Sequence, residues 1–150
     1  MAPPKRTFED FAAGETIAHG HHEVTADEII AFAAEYDPQP FHLDADAPET
    51  ALTGGLIASG WHVAAIFMRL MCDSFLVESS SMGSPGIDTL KWLKPVRPAE
   101  TLTARSTVIE VRPSQSRPDR GIVRFRHELA DHNGELVMRF DNPIMFGRRR

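Results

Sequence analysis

An aspartate and a histidine stand five positions apart, at Asp37 and His42, in the stretch Y-D-P-Q-P-F-H. A carboxylate and an imidazole that share one cavity can hold a water molecule by two hydrogen bonds, and one group can take a proton while the other delivers one. Pro38 and Pro40 fix two φ angles between them, which lowers the entropic cost of keeping the pair in register. The spacing alone fits a turn with a polar residue at each end equally well, so other features of the chain have to decide.

A glycine provides a third chemical element. Gly60 precedes the apolar stretch W-H-V-A-A-I-F-M-R-L-M, and we expect it at the N-terminus of a buried helix with Ser59 as the N-cap. Backbone N–H groups are free at a helix N-terminus, and an oxyanion bound there gains about 3–4 kcal/mol in catalysis. Water activation, proton transfer and oxyanion stabilisation are the parts needed to add water to an α,β-unsaturated thioester, or to remove it.

A helix is predicted immediately before the acid. Thr25 is a good N-cap and Glu28 follows three residues later, which is a capping box. Asp37 and Pro38 end the helix, because a residue before proline is driven out of the α region. The pair therefore follows a helix and lies in a rigid loop. The apolar residues that recur at helical spacing are Ile29, Ile30, Phe32, Ala33 and Tyr36.

The second half of the chain has the two-residue period of strands. Asn133 and Gly134 predict a tight hairpin turn, and residues 16–24 predict a short strand with a glycine break. The order of elements predicts an α+β domain in which a curved antiparallel sheet packs around one helix. Such a sheet has open edges, so we expect a dimer. The predicted strands of the second half cover residues 86–94, 101–111, 121–130 and 135–146.

The composition, 42% apolar and 25% charged, is typical of a globular protein. At 150 residues we expect one domain over residues 1–150. No apolar run approaches about 18 residues, which predicts no membrane span, and the N-terminus lacks the apolar core of a secretory signal. The single cysteine, Cys72, cannot form an internal disulfide, which favours the cytoplasm.

The charge is unevenly distributed. Residues 1–75 carry 3 basic and 12 acidic side chains, a net −9, whereas residues 76–150 carry 13 and 9, a net +4. A basic half could meet a phosphate-bearing ligand, but no dense run of lysine and arginine predicts nucleic-acid binding. We expect the terminal Arg148, Arg149 and Arg150 to be solvated.

The run D-P-Q-P-F-H-L-D, followed by L-I-A-S-G-W-H, resembles the MaoC-like dehydratases, relatives of the (R)-specific enoyl-CoA hydratases with the hotdog fold. The resemblance continues through K-W-L-K-P-V-R-P-A-E-T-L and the N-G-E hairpin, and it covers nearly the whole chain. It implies a hotdog fold in which Asp37 and His42 activate water and the Gly60 amide binds the thioester oxygen. The chain departs from the family at Gln39, where the hydratases usually have Asn, and at Ser59, which replaces the His of a His-Gly pair.

Further residues are candidates for binding the substrate rather than for its chemistry. Gln39 and Ser59 occupy family positions beside the pair. Gly55 lies in a glycine-rich segment of small residues, 49–60, that we expect to be mobile and to shape the acyl pocket. Trp61 and Trp92 are expected in the core or at an interface, or else to line an acyl tunnel. The basic candidates for contacts with the phosphates of CoA are Lys94, Arg97, Arg117 and Arg120.

The remaining histidines have simpler interpretations. His19, His21 and His22 lack a second ligand cluster, so we predict no metal and expect a surface or edge-strand group. We expect His62 and His127 to be hydrogen-bonded structural residues.

The sequence therefore predicts an enoyl-CoA hydratase or 3-hydroxyacyl-CoA dehydratase of fatty acid metabolism. Its partners are an acyl-CoA or acyl-carrier-protein thioester and further copies of the chain in a homodimer or larger oligomer, with no cofactor, nucleic acid or membrane. The spacing leaves open whether Asp37 or His42 is the base. Two alternatives also stay open: a hotdog thioesterase, for which Asp73 is a late and poorly placed acid, and an acyl-CoA-binding protein without turnover.

Overall fold

The computed structural model describes residues 5–149, which form one antiparallel sheet and several helices. The strands are β1 (Thr16–Glu23), β2 (Thr89–Trp92), β3 (Thr101–Pro113), β4 (Arg120–Ala130) and β5 (Leu136–Gly147). The helices are α1 (Ala26–Tyr36), α2 (Pro40–Leu43), α3 (Pro48–Leu52) and α4 (Gly60–Met71). A 3₁₀ turn at Phe8–Asp10 precedes β1, and a wider π-helical turn at Cys72–Leu76 continues α4.

The sheet has the strand order β1-β3-β4-β5-β2, and every neighbouring pair is antiparallel. Gly20 has a left-handed φ of 84° at the point where the register between β1 and β3 shifts, which confirms the predicted glycine break. Gly134, with a φ of 81°, turns the predicted hairpin between β4 and β5. The predicted α+β architecture, with strands of the second half packed with one buried helix, is confirmed.

The buried helix α4 covers the core. Its inward residues include Val63, Ile66 and Phe67, all of which are buried together with residues of β3, β4 and β5. The other face of the helix carries Trp61 and Met68, which are exposed, so the helix is apolar nearly all round without being buried all round. Burial of these exposed apolar side chains against a ligand or a partner would be favourable, so this face is a candidate contact surface.

Helix α1 begins as the sequence predicts. The Thr25 hydroxyl accepts the backbone N–H of Glu28 at 3.1 Å, which is the first half of the predicted capping box. The second half does not form, because the Glu28 carboxylate instead lies 2.9 Å from Nε2 of His22 and 3.6 Å from Nε2 of His62. The helix ends at Tyr36, so Asp37 is its C-cap.

Two short helices replace segments that the sequence analysis assigned to loops. Pro40 and Pro48 begin α2 and α3. Proline is favourable at the first helical position, because its φ is preset and its missing N–H is not needed there. The prediction of a loop around His42 is therefore wrong for this turn. The glycine-rich segment from residue 49 begins inside α3, and its mobility stays a prediction. The buried Thr50 joins the two helices by donating to the carbonyl of Asp44 at 2.6 Å.

A chain of side-chain hydrogen bonds crosses the sheet on the face that packs against α4. His19 Nε2 lies 2.6 Å from Ser106 Oγ, which lies 2.7 Å from His127 Nδ1, and His127 Nε2 lies 2.7 Å from Asn142 Oδ1. At the outer end, His19 Nδ1 lies 2.6 Å from the hydroxyl of Ser74. His19 lies on the edge strand β1, which is one of the two positions predicted for it, but it is buried rather than at the surface. The structural role predicted for His127 fits these contacts.

The direction of these hydrogen bonds follows from the amide at one end. The Asn142 oxygen only accepts, so His127 carries its proton on Nε2 and its Nδ1 accepts from Ser106. The Ser106 oxygen then accepts the Nε2 proton of His19. Each histidine must be neutral to donate on one side and accept on the other. Burial lowers the pKa of His19 and of His127 to about 4, which keeps both rings neutral near pH 7.

The two ends of the described chain are joined by ion pairs. Arg148 contacts Glu9 at 3.0 Å and Arg149 contacts Asp10 at 2.5 Å. Both arginines are exposed, as predicted, and these ion pairs are an additional contact, while Arg150 lies outside the described residues. Within residues 5–149, no helix combines the length and the apolar character needed to cross a lipid bilayer.

We predict that the stability of the protein falls as the pH is lowered from the ordinary histidine pKa of 6.5 toward 4. In this range the unfolded chain binds protons at His19 and His127 that the folded chain excludes, so the free energy of unfolding falls as the pH is lowered. Each histidine contributes a slope of about 1.4 kcal/mol per pH unit. Urea unfolding at a series of pH values measures that slope.

The variant His127→Gln isolates one of the two contributions. We expect its slope between these pH values to be flatter than that of the wild type by about one proton, whereas His132→Gln, at an exposed position of the β4–β5 turn, leaves the slope unchanged. Equal slopes for the wild type and His127→Gln would contradict the prediction.

Candidate active site

Asp37 and His42 come together at one cavity. Oδ2 of Asp37 lies 3.3 Å from Nε2 of His42, and both side chains are largely buried. Asp37 is placed by the end of α1 and His42 by the single turn of α2, which the bond from the His42 N–H to the Gln39 carbonyl, 3.0 Å, helps to close. The C-terminus of α1 therefore holds Asp37, and α2, which begins at Pro40, holds His42.

The orientation of the imidazole is set by a backbone carbonyl. His42 Nδ1 donates to the carbonyl oxygen of Ile57 at 2.6 Å, since a carbonyl can only accept. The unprotonated nitrogen of a neutral His42 is therefore Nε2, the atom that faces Asp37. The Ile57 N–H in turn donates to the Phe41 carbonyl at 3.2 Å, and Ala58 N–H to the Val96 carbonyl at 2.8 Å. These bonds hold the Ile57 carbonyl against α2.

The carboxylate of Asp37 has two polar neighbours besides His42. The Ser59 hydroxyl and the Gln39 amide beside it hold the pKa of Asp37 below its ordinary value, against the opposing effect of burial. Gln39 Nε2 donates to Oδ1 of Asp37 at 2.7 Å. The Ser59 hydroxyl is completely buried and faces the carboxylate without meeting the geometry of a hydrogen bond to any described residue.

Ser59 stands at the N-cap position of α4, but its side chain makes no capping bond. The predicted capping role of the hydroxyl is therefore wrong, because the hydroxyl is turned toward Asp37 instead. Within residues 5–149 the N–H of Gly60 also has no hydrogen-bond partner, as expected for the first amide of a helix. A free amide thus opens α4 beside the acid.

Trp92 covers the start of this helix. Its indole Nε1 donates to the carbonyl of Gly60 at 2.9 Å. A Cβ atom at position 60 would lie 2.6 to 2.9 Å from three atoms of the indole, so only glycine fits beneath the ring. The chain therefore needs Gly60 for close packing as well as for any approach of a ligand to the amide.

A cavity of ≈ 420 Å³ connects these groups. Its lining includes five of the seven residues predicted for the site, and it adds Trp92 and the backbone-presenting Ile57. Ser59 lies behind the carboxylate, and Gly55 lies outside the cavity, in a turn packed against the guanidinium of Arg97. The predicted residues that line the cavity are Asp37, Gln39, His42, Gly60 and Trp61.

The sequence gives no signal for the role of Ile57, because a backbone carbonyl acts there and any residue type provides one. The role of Trp92 had a partial signal, since the sequence left it as either a core or a tunnel residue.

The basic candidates differ in what their charges contact. Lys94 lines the cavity with its stem, while its ammonium lies 2.6 Å from Asp131 and 3.2 Å from Glu135. Arg120 contacts Asp119 at 2.9 Å. Arg97 donates to the carbonyl of Thr53 at 2.6 Å and has no carboxylate partner among the described residues.

The fourth basic candidate, Arg117, is exposed. Asp73, the acid considered for a thioesterase, lies beyond the C-terminus of α4 and pairs with Arg69 at 2.9 Å. It is therefore at the opposite end of the helix from Gly60.

The fold and the site define a member of the hotdog class of α+β proteins, and the chain belongs to the MaoC-like domain family. The family model, described as "MaoC like domain", matches residues 10–131. A crystal structure of the MaoC-like dehydratase from Rhodospirillum rubrum is 43% identical to this chain, with a TM-score of 0.87, and the match covers 96% of this chain and 98% of that one.

Two further comparisons involve longer proteins. Mesaconyl-CoA hydratase from Cereibacter sphaeroides is 30% identical over an alignment of 151 positions, which spans 96% of this chain but only 42% of that protein. A Mycobacterium tuberculosis protein with a double hotdog fold is 17% identical, with a TM-score of 0.79 over 97% of this chain and 45% of that one. The chain thus spans less than half the length of each, and the second likeness concerns the fold alone.

We predict that Gly60→Ala displaces the Trp92 indole. Replacing glycine by alanine in a helix is otherwise favourable by up to about 1 kcal/mol, whereas overpacking costs about 1–3 kcal/mol. A loss of stability therefore indicates that the new methyl group collides with the indole. Loss of stability with a red shift of tryptophan emission is expected.

Gly86→Ala is the matched control, because a Cβ at Gly86 meets nothing within 4 Å. Combining Gly60→Ala with Trp92→Leu restores stability relative to Gly60→Ala alone. A Gly60→Ala protein as stable as the wild type and with unchanged emission contradicts the packing described above.

We predict that Gln39→Leu raises the pKa of Asp37, because a hydrogen-bond donor that helps to hold it low is removed. Carbon-13 NMR titration of the Asp37 carboxyl measures the change directly. Gln115→Leu, at an exposed position of the β3–β4 connection, is the control. A carboxyl that titrates at the same pH in the wild type and Gln39→Leu would show that the amide does not stabilise the ionised form.

Proposed function

We propose that the protein catalyses the reversible addition of water to an α,β-unsaturated acyl thioester, as an enoyl-CoA hydratase or a 3-hydroxyacyl-CoA dehydratase. The observation that carries this proposal is the 3.3 Å approach of Asp37 Oδ2 and His42 Nε2 at the cavity that begins at Gly60. Membership of the MaoC-like family supports it, as does the likeness to a mesaconyl-CoA hydratase.

The chemistry of the pair favours a bound water. An ionised carboxylate only accepts hydrogen bonds, and Nε2 of neutral His42 also accepts, because the proton of the ring is on Nδ1. Two acceptors at 3.3 Å repel each other unless a proton lies between them or a water donates one O–H to each. The low pKa of Asp37 keeps its carboxylate in the accepting form at neutral pH.

In the hydration direction the water oxygen bonds to C3 of the substrate while one of its O–H bonds breaks. The pair takes that proton, and the π electrons of the C2=C3 bond move toward the thioester carbonyl. The oxygen of the carbonyl gains negative charge, which the Gly60 amide and the N-terminal end of α4 stabilise. A proton returned to C2 completes the product and restores the carbonyl, and dehydration runs through the same steps in reverse.

The thioester carrier and the oligomer are part of the proposal. Arg97 is a candidate for a contact with a phosphate of CoA, because its charge is not paired with a carboxylate of residues 5–149. Strand β2 has only four residues and lies at an edge of the sheet, next to the exposed Leu93 and Ile87. Pairing of two copies along β2 would cover this apolar edge, which favours the homodimer.

We predict that Asp37→Asn and His42→Ala each lower the rate of crotonyl-CoA hydration by about 10²–10⁴-fold. The amide of the first variant cannot take a proton from water, and the second variant lacks the imidazole altogether. Loss of absorbance of the conjugated enoyl thioester measures the rate, and circular dichroism with thermal unfolding checks that the variants fold.

Asp27→Asn, on the exposed side of α1, and His132→Ala are the matched controls and should retain the wild-type rate. Full activity of both site variants refutes the mechanism. Release of free thiol without loss of the double bond identifies a thioesterase, and tight binding of thioesters without any turnover identifies a binding protein.

A further inference from the structure

One wall of the cavity is aromatic and faces open space. Trp61 and Trp92 pack edge to face, with ring centroids 5.2 Å apart and an angle of 85° between the planes. Both line the cavity, yet Trp61 is 62% and Trp92 44% exposed. Large aromatic surfaces bury about 150–250 Å² each when they find a partner, so this wall has much apolar area to offer a ligand.

The wall adjoins the atom that would bind the thioester oxygen. The Trp92 ring lies on Gly60, and its only N–H donor is used by the Gly60 carbonyl. Trp92 therefore presents hydrocarbon and no hydrogen-bond donor to the space beside the Gly60 amide. A thioester whose carbonyl reaches that amide brings its acyl group within contact of the wall.

The charges around the cavity do not favour an acidic acyl group. Lys94 is the only lysine or arginine in the lining formed by the described residues, and its ammonium is neutralised by Asp131 and Glu135. Asp37 adds a negative charge that Gln39 and Ser59 stabilise. A second carboxylate in this space would find no unpaired cation in the lining formed by the described residues, and it would repel Asp37.

We infer that Trp92 is a specificity-determining residue which, with Trp61, makes the site select an apolar, uncharged acyl group over one that ends in a carboxylate. The inference deepens the proposed function and rests on its assignment of the acyl site to this cavity. A mesaconyl group carries a free carboxylate, so the inference gives this chain a substrate class different from that of the hydratase to which it is 30% identical.

Binding can be measured without turnover, because a saturated thioester has no double bond to hydrate. Butyryl-CoA and succinyl-CoA share the carrier and differ by a terminal carboxylate. The chain contains only two tryptophans, and both are in the wall, so intrinsic tryptophan fluorescence reports occupation of this cavity. Free CoA is the control for contacts made by the carrier alone.

We expect the wild type to bind butyryl-CoA at least about tenfold more tightly than succinyl-CoA. Trp92→Ala removes the apolar surface that favours the butyryl group, so the two affinities should come within about threefold of each other. Trp92→Phe keeps an apolar ring and should keep the preference. Calorimetry replaces fluorescence for variants that lose a reporter.

The inference is overturned if the wild type binds succinyl-CoA as tightly as butyryl-CoA, or if folded Trp92→Ala keeps the full preference. Should Trp92→Ala fail to fold, Trp61→Ala decides the question in the same way, since that side chain is mostly exposed and its loss does not open the core. Selective binding without hydration of crotonyl-CoA leaves the inference standing and removes the proposed function. Hydration of crotonyl-CoA without a preference for butyryl-CoA over succinyl-CoA supports the proposed function and overturns the inference.

Discussion

The hydrogen bond from His42 to the carbonyl of Ile57 is the contact on which the site depends. It determines which nitrogen of the imidazole carries a proton, and thereby which nitrogen meets Asp37. The carbonyl is itself held in place, because the neighbouring amides of Ile57 and Ala58 bond to α2 and to residue Val96. The segment just before α4 thus links the two catalytic candidates, the helix start and the β2–β3 connection. A shift in any of them would change the 3.3 Å approach of the pair.

Much of this arrangement was predictable from residue type and spacing. The end of α1 follows from the aspartate before a proline, and the hairpin turn at Gly134 follows from the Asn-Gly pair. Both are local rules that act within a few residues. The convergence of Asp37, His42 and Gly60 on one cavity is long-range, and it was expected only from the family resemblance.

Other features could not be predicted for physical reasons that differ from case to case. Helix α2 was missed because proline disfavours helix interiors but is favourable at the first position, and one turn is too short to show a period. The burial of His19 was missed because a histidine becomes a core residue only when partners satisfy both nitrogens, and those partners lie on distant segments, at Ser74 and Ser106. The place of Trp92 over Gly60 depends on how the β2 edge meets α4, which no local pattern encodes.

The polar groups at the two ends of α4 differ in whether the protein itself satisfies them. At the N-terminal end, free amides and an ionised Asp37 stand beside an open cavity, where a ligand can complete the polar contacts. Toward the C-terminal end, Phe67 packs edge-on against the rings of His19 and His127, and the polar groups there are satisfied entirely within the protein. A buried network that is complete has no capacity left for a ligand, whereas an incomplete one at a cavity has. His42 uses only Nδ1 in a hydrogen bond within the protein and presents Nε2 to Asp37 at the cavity, so it is a candidate for chemistry. His19 and His127 have both ring nitrogens hydrogen-bonded inside the protein, so they are structural.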